Sequence, residues 1–78
     1  MTNLVLNRKT CADLITELSD DGGESRIKGA LARWRDCPSA EVAGDTIAIW
    51  SHETARLPED RRRALFGVAK GASGARAA

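Results

Sequence analysis

The apolar positions in the middle of the chain repeat with the period of an α-helix. Four of them share the i, i+3, i+4, i+7 spacing that places side chains on one helix face: Ile27, Ala30, Leu31 and Trp34. Pro38 ends the pattern, because proline disfavours helical geometry in the preceding residue and has no N–H to donate. We therefore expect a central helix over residues 22–36, with Trp34 buried against the helix before it.

The segment before the central helix carries the signals of a strand, a helix and a turn. Three consecutive apolar residues bounded by asparagines predict a short strand over residues 2–7. Thr10 is a candidate N-cap for a first helix over residues 10–19. A glycine pair then breaks that helix, and Asp21 with Glu24 predicts a capping box for the central helix. The apolar stripe of the first helix is Cys11, Leu14, Ile15 and Leu18.

The period changes in residues 40–50. Ile47 and Ile49 alternate with other residues, and the Gly-Asp pair at 44–45 places glycine at the first central position of a type II′ turn. This pattern predicts a β-hairpin. Because short apolar runs are ambiguous, the alternative is a helix over residues 39–50. The buried face of that helix would be Val42, Thr46, Ile49 and Trp50.

A final helix is predicted after a loop over residues 51–57. Pro58 opens it, with two acids in its first turn. Residues 71–78 have neither apolar mass nor period and should form a flexible tail. The elements predict one α+β domain over residues 1–70, made of a short N-terminal strand, two helices, a β-hairpin and a C-terminal helix. The buried stripe of the last helix is Ala64, Leu65, Val68 and Ala69.

Length and charge place limits on partners. A chain of 78 residues forms one domain that buries only about 60% of its unfolded surface, so its stability is marginal and oligomerisation would help it. The formal charge of +1 hides an asymmetry, since residues 1–25 hold five acids and two bases whereas residues 26–78 hold ten bases and six acids. The basic character is therefore local, and modest for a nucleic-acid-binding domain.

Several classes of function are not predicted. The N-terminal apolar run is too short for a signal peptide and no stretch approaches the roughly 20 apolar residues of a membrane span, so we expect a cytoplasmic protein. Cys11, Cys37 and His52 match no metal-ligand spacing, and both cysteines are expected to be reduced and structural. Ser51, His52 and Glu53 are sequence neighbours, whereas a nucleophile and its base must converge in space. Neither catalysis nor a cofactor is predicted.

Basic residues flank a row of small side chains on the face of the central helix opposite its apolar stripe. The row is Ser25, Gly29, Ala32 and Asp36, and the flanking residues are Arg26, Lys28, Arg33 and Arg35. Such a helix suits a DNA groove; alternatively, the small residues let another helix approach while the arginines are solvated. Three arginines at 61–63 lie near the start of the last helix, where its dipole does not favour them. They indicate either an anionic partner or a solvated face.

The order of strand, helix, glycine turn, helix, two strands and helix resembles the winged helix-turn-helix superfamily. The resemblance rests on TCADLITELSDDGGESRIKGALARWRD for the helical pair and on SAEVAGDTIAIWS for the wing. It implies a small repressor-like transcriptional regulator that binds DNA as a homodimer, with the central helix in the major groove.

The resemblance also implies which residues contact DNA. Those nearest the base edges would be Ser25, Arg26, Lys28 and Gly29. Phosphate contacts would come from Arg33, Arg35, Arg61, Arg62 and Arg63. The dimer interface is expected on the C-terminal helix, at Leu65, Phe66 and Val68.

A protein-interaction module is the alternative of a different class. It would use the small-faced helix, or the exposed edge of the sheet, to bind and inhibit a larger cellular protein. Small proteins of this kind are common among mobile genetic elements, and a nearly neutral net charge suits this alternative.

Overall fold

The described part of the chain is built from helices alone. The structure, a computed structural model, describes Leu4 and residues 6–74. These residues form α1 (Arg8–Glu17), α2 (Gly22–Asp36), α3 (Ala40–Thr54) and α4 (Glu59–Gly74), and contain no strand. The fold is therefore all-α, and the predicted α+β winged-helix-like domain is wrong. α2 packs against α3, while α1 packs against both α4 and α2.

α1 begins earlier than the sequence suggested. Its N-cap is Asn7, whose side-chain oxygen accepts a hydrogen bond of 2.8 Å from the backbone N–H of Thr10. Thr10 lies inside the helix and is fully buried, so its predicted role as the cap is wrong. Half of the strand predicted over residues 2–7 lies outside the described residues. The described half, Leu4, Leu6 and Asn7, forms no strand, and Leu4 is buried in the core.

α2 has the predicted bounds, but its N-terminus is not closed by the predicted capping box. Asp21 is the N-cap without making a side-chain capping bond. Gly22 adopts a positive φ of 61°, which favours glycine at this position. Glu24 turns away from the cap and accepts a hydrogen bond from the backbone N–H of Ser19, at 3.0 Å. At the other end, Cys37 is the C-cap immediately before Pro38.

α3 occupies the segment for which a β-hairpin was predicted. The alternative, a helix over residues 39–50, is confirmed, and the helix continues to Thr54 into the predicted loop. Ser39 caps it by accepting a hydrogen bond of 3.2 Å from the backbone N–H of Val42. Val42, Thr46 and Trp50 are buried at intervals of four residues, as on one face of a helix, while Gly44 and Ala48, which would share that face in a strand, are exposed. Packing this face against α2 outweighs the local β preference of the isoleucines.

The Thr46 side chain stabilises α3 and its contact with α2. Its hydroxyl is within hydrogen-bond distance of the carbonyl of Val42 in its own helix, at 2.8 Å, and of Ala30 in α2, at 3.3 Å. A β-hairpin would turn alternate residues away from α2 and separate these groups. The polar side chain therefore supports the helix at a buried position.

α4 begins at Glu59, one residue after Pro58, which was predicted to be its first residue. Its helical backbone continues to Gly74, four residues into the segment that the sequence indicated as a tail. The rest of that segment, residues 75–78, lies outside the described residues. Leu65 is fully buried and Phe66 packs on the ring of Trp50, with ring centroids 5.7 Å apart. The side chains predicted for a dimer interface therefore contribute to the core.

Trp50 is the largest side chain of the core, with only 1% of its surface exposed. It belongs to the same cluster as side chains from the other helices: Cys11, Leu14, Ile27, Leu31 and Leu65. Trp34, predicted to be buried, is only half-buried at the margin of this cluster. The tryptophan that organises the core is therefore on α3 and not on α2.

We expect Trp50→Ala to destabilise the domain by about 3 to 5 kcal/mol, because it removes a large buried side chain. In a domain with roughly 5 kcal/mol of total stability this is enough to unfold it. Trp34→Ala is the matched substitution and should cost about half as much, because Trp34 is only half-buried. Urea denaturation followed by circular dichroism measures both, and equal losses would contradict this account of the core.

Candidate functional site

The basic residues of α2 all lie in ion pairs. The closest distances between charged atoms in the four pairs are 3.6 Å for Arg26 with Glu53, 2.6 Å for Lys28 with Asp20, 3.9 Å for Arg33 with Asp45, and 3.5 Å for Arg35 with Asp36. Two of the acids belong to α3. The row of cations predicted to meet DNA is therefore interleaved with carboxylates, and its net charge is close to neutral.

The two uncharged residues predicted to lie at the base edges differ in surroundings. Ser25 is half-buried, and its hydroxyl donates a hydrogen bond of 3.2 Å to the carbonyl of Gly22. Gly29 is exposed, and a β-carbon built there would meet no atom within 4 Å. Gly29 therefore leaves an open position on the surface of α2, and its predicted role at DNA stays a prediction.

Arg61 connects three helices through its guanidinium, although 35% of its side chain is exposed. Its guanidinium donates to both carboxylate oxygens of Glu24, at 2.9 and 2.8 Å, and to the carbonyl and carboxylate of Glu17, at 3.1 and 3.3 Å. Glu24 is in the first turn of α2, Glu17 ends α1, and Arg61 is in the first turns of α4. Such a bidentate pair is among the strongest hydrogen-bonded arrangements.

The bonds to Arg61 also determine how Glu24 titrates. The hydrogen bonds from the Arg61 guanidinium are the main cause of a lowered pKa for the Glu24 carboxyl, which burial opposes and the Ser19 N–H reinforces. The same hydrogen bonds raise the pKa of Arg61. Both groups therefore stay charged at neutral pH.

The three consecutive arginines have three different environments. Arg63 forms an ion pair of 2.7 Å with Glu59, one turn away in α4, and both side chains are largely exposed. Arg62 is half-buried and makes no ion pair with any residue that the structure describes. The sequence does contain a signal that sets Arg61 apart from Arg62 and Arg63. Arg61 lies four residues before Leu65 and eight before Ala69, so it falls on the same helix face as these two residues of the buried stripe.

Two adjoining cavities form a groove between α2 and α3. One, of about 490 Å³, is lined by Gly22, Gly23, Arg26, Glu53, Arg56 and Leu57. The other, of about 540 Å³, is lined by Arg26, Ala48, Ile49, His52 and Glu53.

Glu53 is the buried carboxylate of this groove, with 7% of its side chain exposed. Its Oε1 atom lies only 2.6 Å from the position that a β-carbon at residue 23 would occupy. The glycine at this position therefore leaves room for the carboxylate beside the first turn of α2, whose positive end favours it. Arg26 covers it from the solvent side at 3.6 Å.

The outward side of α3 carries a strip of small and apolar residues, which we call the α3 face. It consists of Gly44, Ile47, Ala48 and Ala55, all exposed. Ile47, at 36% exposure, is the one exposed large hydrophobic residue of the described chain. The sequence analysis did not predict this surface. The predicted hairpin placed Ile47 and Ile49 on the same face of a strand, whereas in the helix Ile47 is exposed and Ile49 is half-buried.

Charged and titratable residues lie at the two ends of the α3 face. Glu41 is exposed in the first turn of α3. His52 is exposed in its last turn, and Arg56 follows just beyond the helix, also exposed. Asp45 is also exposed, in the middle of α3, where its carboxylate lies 3.9 Å from Arg33. The α3 face is therefore bordered by two carboxylates, with Arg56 beyond its C-terminal end.

Residues with catalytic or metal-binding chemistry do not converge within the described chain. No group of three or more histidine, cysteine, aspartate or glutamate residues there could hold a metal ion. His52 is exposed while Glu53 is buried, since successive residues on a helix point in different directions. Cys11 and Cys37 are both free, as predicted, but only Cys11 is buried, and burial raises the pKa of its thiol. Cys37 is exposed, so it does not contribute to the core.

Comparisons with protein-family models, with curated proteins and with solved structures find no match for this chain. No helix among the described residues is long and apolar enough to cross a membrane. The function of this chain therefore follows from the arrangement of its own side chains.

We expect Arg61→Ala to destabilise the domain by about 1 to 3 kcal/mol, because it leaves the buried Glu24 carboxylate without its charged partner. Arg63→Ala is the matched control on the same helix. It should change stability by less than about 0.5 kcal/mol, because exposed ion pairs contribute little. Chemical denaturation of the two variants measures the difference, and similar values would show that the Arg61 network is not structural.

The Glu24 carboxyl should make stability depend on pH. Its pKa is lower in the folded chain than the roughly 4.3 of an unfolded glutamate, so its contribution is present above that value and is lost as pH falls through the folded pKa. Glu24→Gln should therefore lower the urea midpoint at pH 7 and flatten its decline below about pH 4. Glu59→Gln, at an exposed carboxylate, is the control and should keep the wild-type decline. A decline in Glu24→Gln as steep as in the wild type would contradict the assignment.

Proposed function

We propose that this chain is a small protein-interaction module that binds another polypeptide through the α3 face. The observation that carries the proposal is that this face is exposed, consists of small and apolar residues, and holds Ile47, the exposed large hydrophobic residue of the described chain. Contiguous apolar surfaces rimmed by polar residues are typical of protein interaction sites. The adjoining groove continues the same surface through Ala48 and Ile49.

The charge distribution supports a polypeptide partner over DNA. Binding to DNA depends on lysine and arginine side chains that neutralise phosphates. Each cation of α2 has a carboxylate within 4 Å, and Arg61 is bonded within the domain. If these cations bound phosphates, the paired carboxylates would lie close to the phosphates and repel them, or the ion pairs would have to break.

α3 itself is unsuited to a nucleic-acid surface. It contains three acidic residues and neither lysine nor arginine. Because a turn of only three residues joins it to α2, a DNA duplex along the exposed side of α2 would lie near these carboxylates. Like-charge repulsion would then weaken the complex.

We expect Ala48→Asp to weaken binding to a partner about tenfold or more, because it places a charge in the centre of an apolar contact. Ala12→Asp is the matched control, since Ala12 is exposed on α1, and it should change binding less than about twofold. The immobilised chain would be used to isolate a partner from cell extract. The interaction would then be reproduced with both purified proteins and measured by calorimetry, with circular dichroism confirming that each variant is folded.

DNA is tested with the same preparations. A labelled duplex from the region upstream of the gene should show no sequence-specific binding at low salt. If the chain instead binds one sequence with an affinity that falls steeply with salt, and Arg26→Ala costs about 1 to 3 kcal/mol for that sequence alone, the regulator predicted from the sequence is correct and the interaction module is wrong.

A further inference from the structure

We infer that the partner polypeptide places an arginine side chain in the cavity between α2 and α3, where its guanidinium pairs with the carboxylate of Glu53. The inference rests on the proposed function and names the chemistry of the partner. The cavity is the one of about 540 Å³ lined by Arg26, Ala48, Ile49, His52 and Glu53, which we call the Glu53 pocket. Ala48 belongs both to this pocket and to the α3 face, so one partner can contact both.

Two carboxylates of the described chain are buried, and they differ in their hydrogen bonds. Glu24, with 10% of its side chain exposed, accepts hydrogen bonds from the Arg61 guanidinium and from the Ser19 N–H. Glu53 is buried more deeply, at 7%, yet its oxygens accept no hydrogen bond from the residues that the structure describes. Its ion pair with Arg26, at 3.6 Å, is longer than a hydrogen bond. Because a buried charge is costly without hydrogen bonds, a ligand that donates them to Glu53 gains free energy of binding.

The N-terminus of α2 stabilises the charge of Glu53 without meeting this need. Its positive end favours a nearby carboxylate, and Gly23 leaves room for the Oε1 atom. This is an effect of the helix dipole, and it leaves the carboxylate able to accept hydrogen bonds. The donors can therefore come from a ligand in the Glu53 pocket.

The Glu53 pocket suits both parts of an arginine side chain. Ala48 and the half-buried Ile49 form an apolar wall for the methylene stem, and Glu53 accepts from the guanidinium at its end. The domain already contains this arrangement, since two guanidinium nitrogens of Arg61 donate to the two carboxylate oxygens of Glu24 at 2.9 and 2.8 Å. A guanidinium is also more weakly hydrated than a lysine ammonium, so its transfer to a buried carboxylate costs less.

Arg26 covers Glu53 in the free chain, and an incoming arginine would displace it. The Arg26 side chain is 73% exposed, and ion pairs with an exposed member are weak. Arg56 is the other cation nearby, but it lines the neighbouring cavity and is exposed, so salt screens its repulsion of a ligand. Removing the Arg26 side chain should therefore strengthen the binding of a cationic ligand, whereas it would weaken the binding of an anionic one.

Titration of the full chain with Nα-acetyl-arginine methylamide, followed by nuclear magnetic resonance, tests the inference. The matched ligand is the citrulline derivative, whose side chain has nearly the same shape without the charge. The arginine derivative should shift the amide signals of Ala48, Ile49 and Glu53 with a dissociation constant of about 1 to 10 mM, because a single side chain makes few contacts. The citrulline derivative should bind about tenfold more weakly.

Two variants of the pocket should change this affinity in opposite directions. Glu53→Gln should reduce the preference for arginine over citrulline to less than about twofold, and Arg26→Ala should tighten binding of the arginine derivative about threefold. Lys9→Ala removes an exposed cation on α1, and Glu59→Gln removes an exposed carboxylate on α4. Both controls should bind as the wild type does, and circular dichroism confirms that each variant is folded.

The inference is wrong if the two derivatives bind the wild type equally, or if neither shifts these signals at about 20 mM. It is also wrong if Arg26→Ala weakens binding of the arginine derivative, because Arg26 would then assist the ligand instead of competing with it. In each case, a purified partner protein that Ala48→Asp releases leaves the proposed function standing. If Ala48→Asp does not affect the binding of any partner, the proposed function is wrong as well.

Discussion

The pairing of Arg61 with Glu24 is the constraint around which three of the four helices are arranged. A buried carboxylate is costly unless charged and hydrogen-bonded partners surround it, and Glu24 receives bonds from the Arg61 guanidinium and from the Ser19 N–H. These bonds require the start of α4, the end of α1 and the start of α2 to meet at one point. Trp50, Leu65 and their neighbours form the hydrophobic core between the helices.

The same pairing determines which helix surface stays exposed and available to a partner. With α1 and α4 packed together and α2 in contact with α1, α3 is held mainly through its face toward α2. Its other side is uncovered, and that side carries Ile47. The basic residues of α2 meanwhile have acidic partners on α3 and in the flanking turns. The exposed side of α3 thus carries small and apolar residues while the cations of α2 are paired within the domain, which supports the proposed role in binding another polypeptide.

The sequence predicted the ends of a helix where its local signals were compatible with only one structure. The bounds of α2 follow from its apolar period and from Pro38, and the start of α4 follows from Pro58 and the acids after it. Where two residues could both act as the N-cap of a helix, the sequence did not decide between them. Asn7 and Thr10 are both good N-caps; Asn7 takes the role, and Thr10 lies inside the helix with its side chain buried. Only packing distinguishes such candidates.

The sequence by itself determined that the chain has an amphipathic central helix, no metal-ligand or catalytic spacing, and a nearly balanced charge. Tertiary structure decided the two features that matter most for function. Residues 40–50 fit both a strand period and a helix period, and the buried side of α2 selected the helix by accepting Val42, Thr46 and Trp50 together. Arg61 belongs to a run of three arginines. It differs from its neighbours because the fold places Glu24, 37 positions away in the sequence, within hydrogen-bond distance of its guanidinium. Local patterns record the period of a segment, whereas the partner of a side chain depends on which distant residues the fold brings beside it.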